Sequence, residues 1–254
     1  MTWSAKQYSA FEEERTRPVR DLVAALPARE VRTAVDLGCG PGNSTEVLAQ
    51  RFPGALVSGM DSSDDMIAAA RQRMPGVNFD VADIATWQPA QPVDVILANA
   101  SLQWLPDHAT LYPRLARQLA PGGSLAVQTP DNLEEPAHRL ARETAKDPRW
   151  AERIGDVRHP ARHGAMDYYE MLRPHCSRVD VWRTTYYHPL AGGAPAVVEW
   201  FKGSALRPYL ALLDAEQQAG FLASYLAAIA KAYPALKDGS VLLPFPRLFI
   251  VATR

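Results

Sequence analysis

Three glycines stand in five positions at Gly38, Gly40 and Gly42, within the run Val35-Asp36-Leu37-Gly38-Cys39-Gly40-Pro41-Gly42-Asn43. Glycine permits backbone angles and close approach that a side chain would block. A helix starting near Asn43 would also aim its first N–H groups at whatever lies against the turn. That chemistry suits a nucleotide-like cofactor; the alternative is a tight strand-to-helix connection with no ligand. Polar groups recur downstream where the rest of such a molecule would lie. Asp61 follows Gly42 by nineteen residues, near the spacing of about 20 at which a carboxylate takes ribose hydroxyls in dinucleotide folds. Alternatively, Asp61 with Ser62-Ser63 behind it could simply cap the next helix. Asp83-Ile84 offers an acceptor for an exocyclic amine and an aliphatic face for a ring. Asn99 and Trp104, beyond the next apolar run, are placed to see the reacting end of a ligand.

The elements that must position these residues follow a β-α rhythm. Strands are expected at Thr33–Leu37, Leu56–Met60, Val77–Val81, Val93–Ala98 and Ser124–Thr129. Helices are expected from Pro18, from Asn43, around Met66–Met74 and around Leu111–Leu119, the last stopped by Pro121-Gly122-Gly123. Alternating parallel strands and helices give an α/β sheet covered on both faces, whose ligands sit at the carboxyl ends of the strands. Residues 131–176 break the rhythm and read as a cap or insertion. Val179–Tyr187 alternates as a sixth strand and pairs in hairpin fashion with Leu248–Ala252. Between them, Val197–Leu213 and Glu216–Tyr233 read as helices, the second with Asp214 and Gln217 at capping-box spacing. Upstream of the first helix, Tyr8, Phe11, Arg15 and Arg17 form either a lid over the cofactor or a solvated arm.

Composition excludes several classes of function. The formal net charge of the 254 residues is -1, with no run of five like charges, so no electrostatic footprint points to nucleic acid or an anionic membrane. Cys39 and Cys176 have no CxxC spacing, and Pro160 between His159 and His163 argues against paired helical ligands, so neither a zinc site nor a disulfide framework is expected. Cys39 reads as a small residue facing the strand. No long apolar span and no apolar stretch after Met1 are found, which makes a cytoplasmic protein the expectation.

These residues together resemble the S-adenosylmethionine-dependent methyltransferases of the Rossmann-like class over about residues 30–130. The likeness rests on Val35 to Gly42 as the cofactor turn, Asp61 as the ribose acid, Asp83-Ile84 as the adenine contact and Leu119-Ala120-Pro121-Gly122-Gly123 before the fifth strand. It implies S-adenosyl-L-methionine held by Asp36, Gly38, Cys39, Gly40, Asn43, Asp61, Ser62, Met66, Asp83, Ile84, Asn99, Ala100 and Trp104. It also implies a mostly parallel seven-stranded sheet with an antiparallel last strand and a helical cap, within a single domain whose cap segments are residues 131–176 and 190–244. Over the whole chain, the stretches Asn99 to His108, Trp182 to His188, Leu206-Arg207-Pro208 and Phe245 to Ala252 resemble the branch of that family that converts one carboxylate of a small tricarboxylic acid into its methyl ester.

Such a reaction needs no catalytic side chain. A carboxylate with a reference pKa near ~4 is already ionised at neutral pH, so the mechanism is positioning in a water-excluding pocket, and neither a general base nor a metal is expected. Arginine forks suit the remaining carboxylates, which nominates Arg207 first, then Arg183 and Arg247, with Lys202, Tyr8 and His188 behind them and Trp104, Tyr186 and Tyr187 as walls. Three rivals remain: another acceptor for the methyl group, a non-catalytic cofactor-binding scaffold, and an NAD-dependent reductase. The reductase fingerprint puts its third glycine one residue later, and no Tyr-x-x-x-Lys pair is present.

Overall fold

A computed structural model describes residues 12–157 and 163–254. Tyr8, Phe11 and His159 lie outside the described residues, as does the side chain of Arg15. The chain begins with helix α1 (Glu12–Ala24) and strand β1 (Thr33–Leu37), followed by α2 (Asn43–Arg51), β2 (Leu56–Asp61), α3 (Asp64–Arg73) and β3 (Asn78–Val81). Next come β4 (Val93–Asn99), a 3-10 turn at Leu102–Trp104, α4 (His108–Arg117) and β5 (Leu119–Pro130). Helices α5 (Pro136–Ala145), α6 (Ala151–Ile154) and α7 (Ala165–Leu172) lead to β6 (Arg178–Leu190). The remainder is α8 (Gly193–Lys202), α9 (Arg207–Leu210), α10 (Ala215–Ala232) and β7 (Val241–Thr253).

The seven strands run in the order β3-β2-β1-β4-β5-β7-β6. The first five are parallel, with Val35 beside Ser58 on one side and Ile96 on the other, and Leu97 beside Ala126. β7 is antiparallel to β5: Arg254 N–H donates to the Gly123 carbonyl while Asp131 N–H donates to the Pro246 carbonyl, so one strand descends as the other rises. The expected antiparallel last strand is therefore present.

The chain divides into two compact units. The first takes in the described residues up to Pro130, the stretch that ends at Thr184, and Leu248–Arg254; the second takes in Asp131 to Val157 and Thr185–Arg247. In the first, Val35, Leu37, Ile96 and Leu125 of the sheet pack with Leu111, Tyr112 and Leu115 of α4 and with Ile250 of β7. Burying each such aliphatic side chain stabilises by roughly 1.5–3 kcal/mol. Helix α7, inside the stretch read as a cap, packs Tyr168 and Leu172 into this same core. In the second, Phe221, Tyr225 and Ile229 of α10 form the apolar stripe expected from their spacing and pack with Val197, Phe201 and Leu243. Tyr233 Oη accepts from Ala137 N–H at 3.0 Å and Tyr225 Oη donates to the Ala137 carbonyl at 3.0 Å, which satisfies a donor that the first turn of α5 leaves open. Asp214 caps α10 through Gln217, as its spacing predicts.

Three boundaries differ from expectation. α1 runs through Pro18 and does not begin there. Leu119 leaves the helix and opens β5, where Gly122 at φ +74° and a register irregularity between Val93 and Val95 take up the extra residues. The single helix expected over Val197–Leu213 is broken after Lys202, where Gly203 caps α8, and restarts as α9 with Pro208 in its first turn.

Candidate functional site

The glycine turn leaves β1 through three left-handed residues, Gly38 (φ +75°), Gly40 (φ +54°) and Gly42 (φ +91°), a path that Cβ-bearing residues resist. At Gly38 a Cβ would lie 2.4 Å from the Cβ of Ser101, whereas at Gly40 it would meet no protein atom within 4 Å. The amides of the turn itself are bonded within the protein. Gly38 and Cys39 N–H both donate to the Met60 carbonyl at 2.8 and 2.9 Å, Gly42 N–H to the Cys39 carbonyl at 3.1 Å, and Gly40 N–H to Asp61 Oδ2 at 3.0 Å. Pro41 has no N–H to offer. The amides of Gly38, Cys39, Gly40 and Gly42 are therefore occupied within the protein, and what the turn itself offers a ligand is close approach.

A cavity of about 310 Å³ opens against this turn. Gly38, Gly40, Asp61, Ser62 and Met66 line one part, Asp83 and Ile84 a second, and Asn99, Ala100 and Trp104 a third, all of them residues nominated from sequence. Each acid is anchored by backbone. Asp61 Oδ1 accepts from Ser63 N–H at 3.0 Å, and Asp83 Oδ1 from Ala85 N–H at 2.8 Å. Arg114 of α4 donates to the carbonyls of Ile84 and Trp87 at 2.7 and 2.6 Å, which fixes the connection that presents Ile84. Among the described residues the lining contains two carboxylates and no Lys, Arg or His. Such a wall suits a nucleoside that carries positive charge.

Three nominated residues stand outside the lining, for identifiable reasons. Asp36 is fully buried behind the turn, where its Oδ2 accepts from Ser44 Oγ at 2.6 Å and Thr45 Oγ1 at 2.7 Å. Burial pushes its carboxyl up to about 6, against the pull of those two hydroxyls. Cys39 packs with Ile67, Ala70 and Phe79, and burial drives its thiol pKa upward. Asn43 turns away to donate to Thr16 Oγ1 at 3.2 Å. Conversely, Ala82, Ser101 and Leu105 line the cavity without having been nominated. Ser101 Oγ donates to the Leu37 carbonyl at 2.7 Å, a contact across 64 positions that no local pattern signals.

The residues nominated for the acceptor divide by burial. Trp104 lines the cavity and is 55% exposed. Arg183 and Arg207 are exposed, and Lys202 is exposed and paired with Glu199 at 3.1 Å. Tyr186, His188 and Arg247 are buried; the His188 ring stacks on Trp200 at 5.0 Å, and the Arg247 guanidinium sits 4.9 Å above the Phe245 ring. No cluster of His, Cys, Asp or Glu able to hold a metal occurs among the described residues.

Residues 34–123 match the family described as "Methyltransferase domain". The chain is 54% identical to a trans-aconitate 2-methyltransferase of Rhizobium meliloti, covering 100% of this chain and 99% of the relative. It is 55% identical to the enzyme of that name from Methylobacterium nodulans, covering 99% and 98%. The crystal structure of the YcgJ protein from Bacillus subtilis superposes with a TM-score of 0.61 at 13% identity, over 94% of this chain and 98% of that one, a likeness of fold.

Proposed function

Because the chain belongs to the trans-aconitate 2-methyltransferase family, we infer that it transfers a methyl group from S-adenosylmethionine to one carboxylate of trans-aconitate, giving a monomethyl ester and S-adenosylhomocysteine. The observation that best supports this reading is the cavity wall, with its two carboxylates, no basic side chain and turn amides already bonded within the protein. When bound there, S-adenosylmethionine supplies an electrophilic methyl group on a cationic sulfur.

Asp61 takes the ribose hydroxyls with the lone pairs that Gly40 and Ser63 leave open. Asp83 takes the exocyclic amine of the adenine while Ile84 packs on the ring. Asn99 and Ala100 meet the amino-acid end, and Trp104 excludes water from the reacting carboxylate. Asp36, Cys39 and Asn43 support the turn from behind. The acceptor's free carboxylates are held by guanidinium forks, with Arg207, Arg183 and Arg247 the candidates, because a planar fork pairs with a carboxylate through two parallel hydrogen bonds.

No helix among the described residues is long and apolar enough to cross a membrane. Two free, buried thiols at Cys39 and Cys176 fit a reducing, cytoplasmic setting, and the near-neutral net charge fits a small-molecule acceptor better than nucleic acid. The test is mass spectrometry of products after incubation with methyl-labelled S-adenosylmethionine and a panel of di- and tricarboxylates. A labelled monomethyl ester of trans-aconitate is expected; an unlabelled panel would sink the acceptor assignment.

A further inference from the structure

The connection that leaves β4 forms one wall of the cavity through Asn99, Ala100, Ser101, Trp104 and Leu105. Its conformation is unusual at Ala100, whose φ of +54° lies in the left-handed region that a Cβ disfavours. Such a residue persists only where its surroundings impose it. Ala100 N–H donates to the Gln128 carbonyl at 2.8 Å, and the Ala100 carbonyl accepts from Gln103 Nε2 at 2.7 Å. Ser101 is tied to Leu37, and His108 Nε2, from α4, lies 2.9 Å from the Leu102 carbonyl.

Gln103 stands apart among these ties. It is 5% exposed, it lines no part of the cavity, and its Oε1 is buried without a hydrogen-bond partner among the described residues. A buried acceptor left unsatisfied costs stability, so a leucine of similar size would occupy the space more cheaply. What leucine cannot supply is the bond to Ala100.

We propose that Gln103 is a positioning residue: its amide holds Ala100 in the left-handed conformation that sets Asn99 and Ala100 against the amino-acid end of the cofactor. The role rests on the reading of this cavity as the S-adenosylmethionine site. It separates the two ends of the ligand, because the ribose and adenine contacts at Asp61, Asp83 and Ile84 come from other connections.

The test is isothermal titration of wild-type protein, Gln103→Leu and the double variant Gln103→Leu/Ala100→Gly with S-adenosylhomocysteine and with adenosine, which lacks the amino-acid end. Thermal melting of each ligand-free protein accompanies it. Gln103→Leu should melt at or above the wild-type temperature and bind S-adenosylhomocysteine about tenfold more weakly, the effect of one lost hydrogen bond. Its affinity for adenosine should stay within about twofold of wild type. Adding Ala100→Gly should recover most of the loss, because glycine takes left-handed angles without a tether. Unchanged S-adenosylhomocysteine affinity, equal losses for both ligands, or no recovery in the double variant would each overturn the proposal. A wild-type protein that binds no S-adenosylhomocysteine would instead overturn the functional reading beneath it.

Discussion

Asp61→Ala removes the most heavily used polar group in the cavity, and its effect divides into two measurable parts. In the ligand-free protein Asp61 accepts from Gly40 and Ser63 N–H, both at 3.0 Å. Both donors sit in partly exposed residues, so water replaces much of what is lost; about 1 kcal/mol for each bond is an upper range. At roughly 2–4 °C per kcal/mol for a chain of this size, the melting temperature should fall by at most about 4–8 °C. In the complex, each oxygen retains a lone pair for a ribose hydroxyl, and a hydrogen bond to a charged group contributes about 1.5–3 kcal/mol. Losing one such bond weakens S-adenosylhomocysteine binding about 10- to 150-fold. Titration calorimetry gives the second quantity and differential scanning calorimetry the first, with adenine, which has no ribose, as the control ligand. If adenine affinity falls as far as that of S-adenosylhomocysteine, Asp61 acts through the glycine turn and the ribose assignment is wrong. If neither affinity moves, Asp61 has no part in binding.

Gly40→Ala should cost the fold about 1–2 kcal/mol for a left-handed alanine, because its Cβ meets no protein atom within 4 Å. The methyl would occupy ligand space, however, so cofactor affinity should drop by more than about tenfold; retained affinity would mean that the ligand does not lie against the turn. Asp36 makes stability pH-dependent in an unusual direction: its carboxyl moves from 3.8 to about 6 on folding, chiefly through desolvation. Between those values the folded state binds more protons than the unfolded one, so stability falls as pH rises through the window, by on the order of 1–3 kcal/mol. Asp36→Asn keeps an acceptor for Ser44 and Thr45 and should flatten the melting temperature measured from pH 4 to 7; an unchanged slope would refute the assignment. Arg207→Leu should raise KM for trans-aconitate by about tenfold with S-adenosylhomocysteine affinity kept, because the fork and its charge are lost. An unaltered dependence on trans-aconitate would remove Arg207 from the acceptor site.

The first half of the chain was legible because its signals are local. Gly38, Gly40 and Gly42 announce a turn without help from distant residues, and Asp61 ends a strand while Asp83 follows one closely. What escaped depends on contacts that sequence spacing does not encode. Ser101 becomes a wall residue because Gly38 leaves room for its Cβ. Asp36 reads as a ligand contact from its place in the motif, yet its strand points it behind the turn toward Ser44 and Thr45. Among the cations, Arg207 stands out in the sequence by its neighbours Leu206 and Pro208, whereas the burial of Arg247 is visible only in the fold. Pro18 reads in the sequence as a helix start, but α1 accommodates it as an interior residue.

The position of β7 between β5 and β6 orders events in time. A ribosome delivers β5 and β6 well before β7, so in the nascent chain β5 has backbone donors and acceptors unmatched on one side and β6 has no strand neighbour at all. Ile250 and Ala252, which share a core cluster with Leu37 and Ile84, arrive well after them. Premature arrest of translation would thus leave the glycine turn and its acids already made but their sheet unfinished, a species prone to pair with other chains through its bare strands.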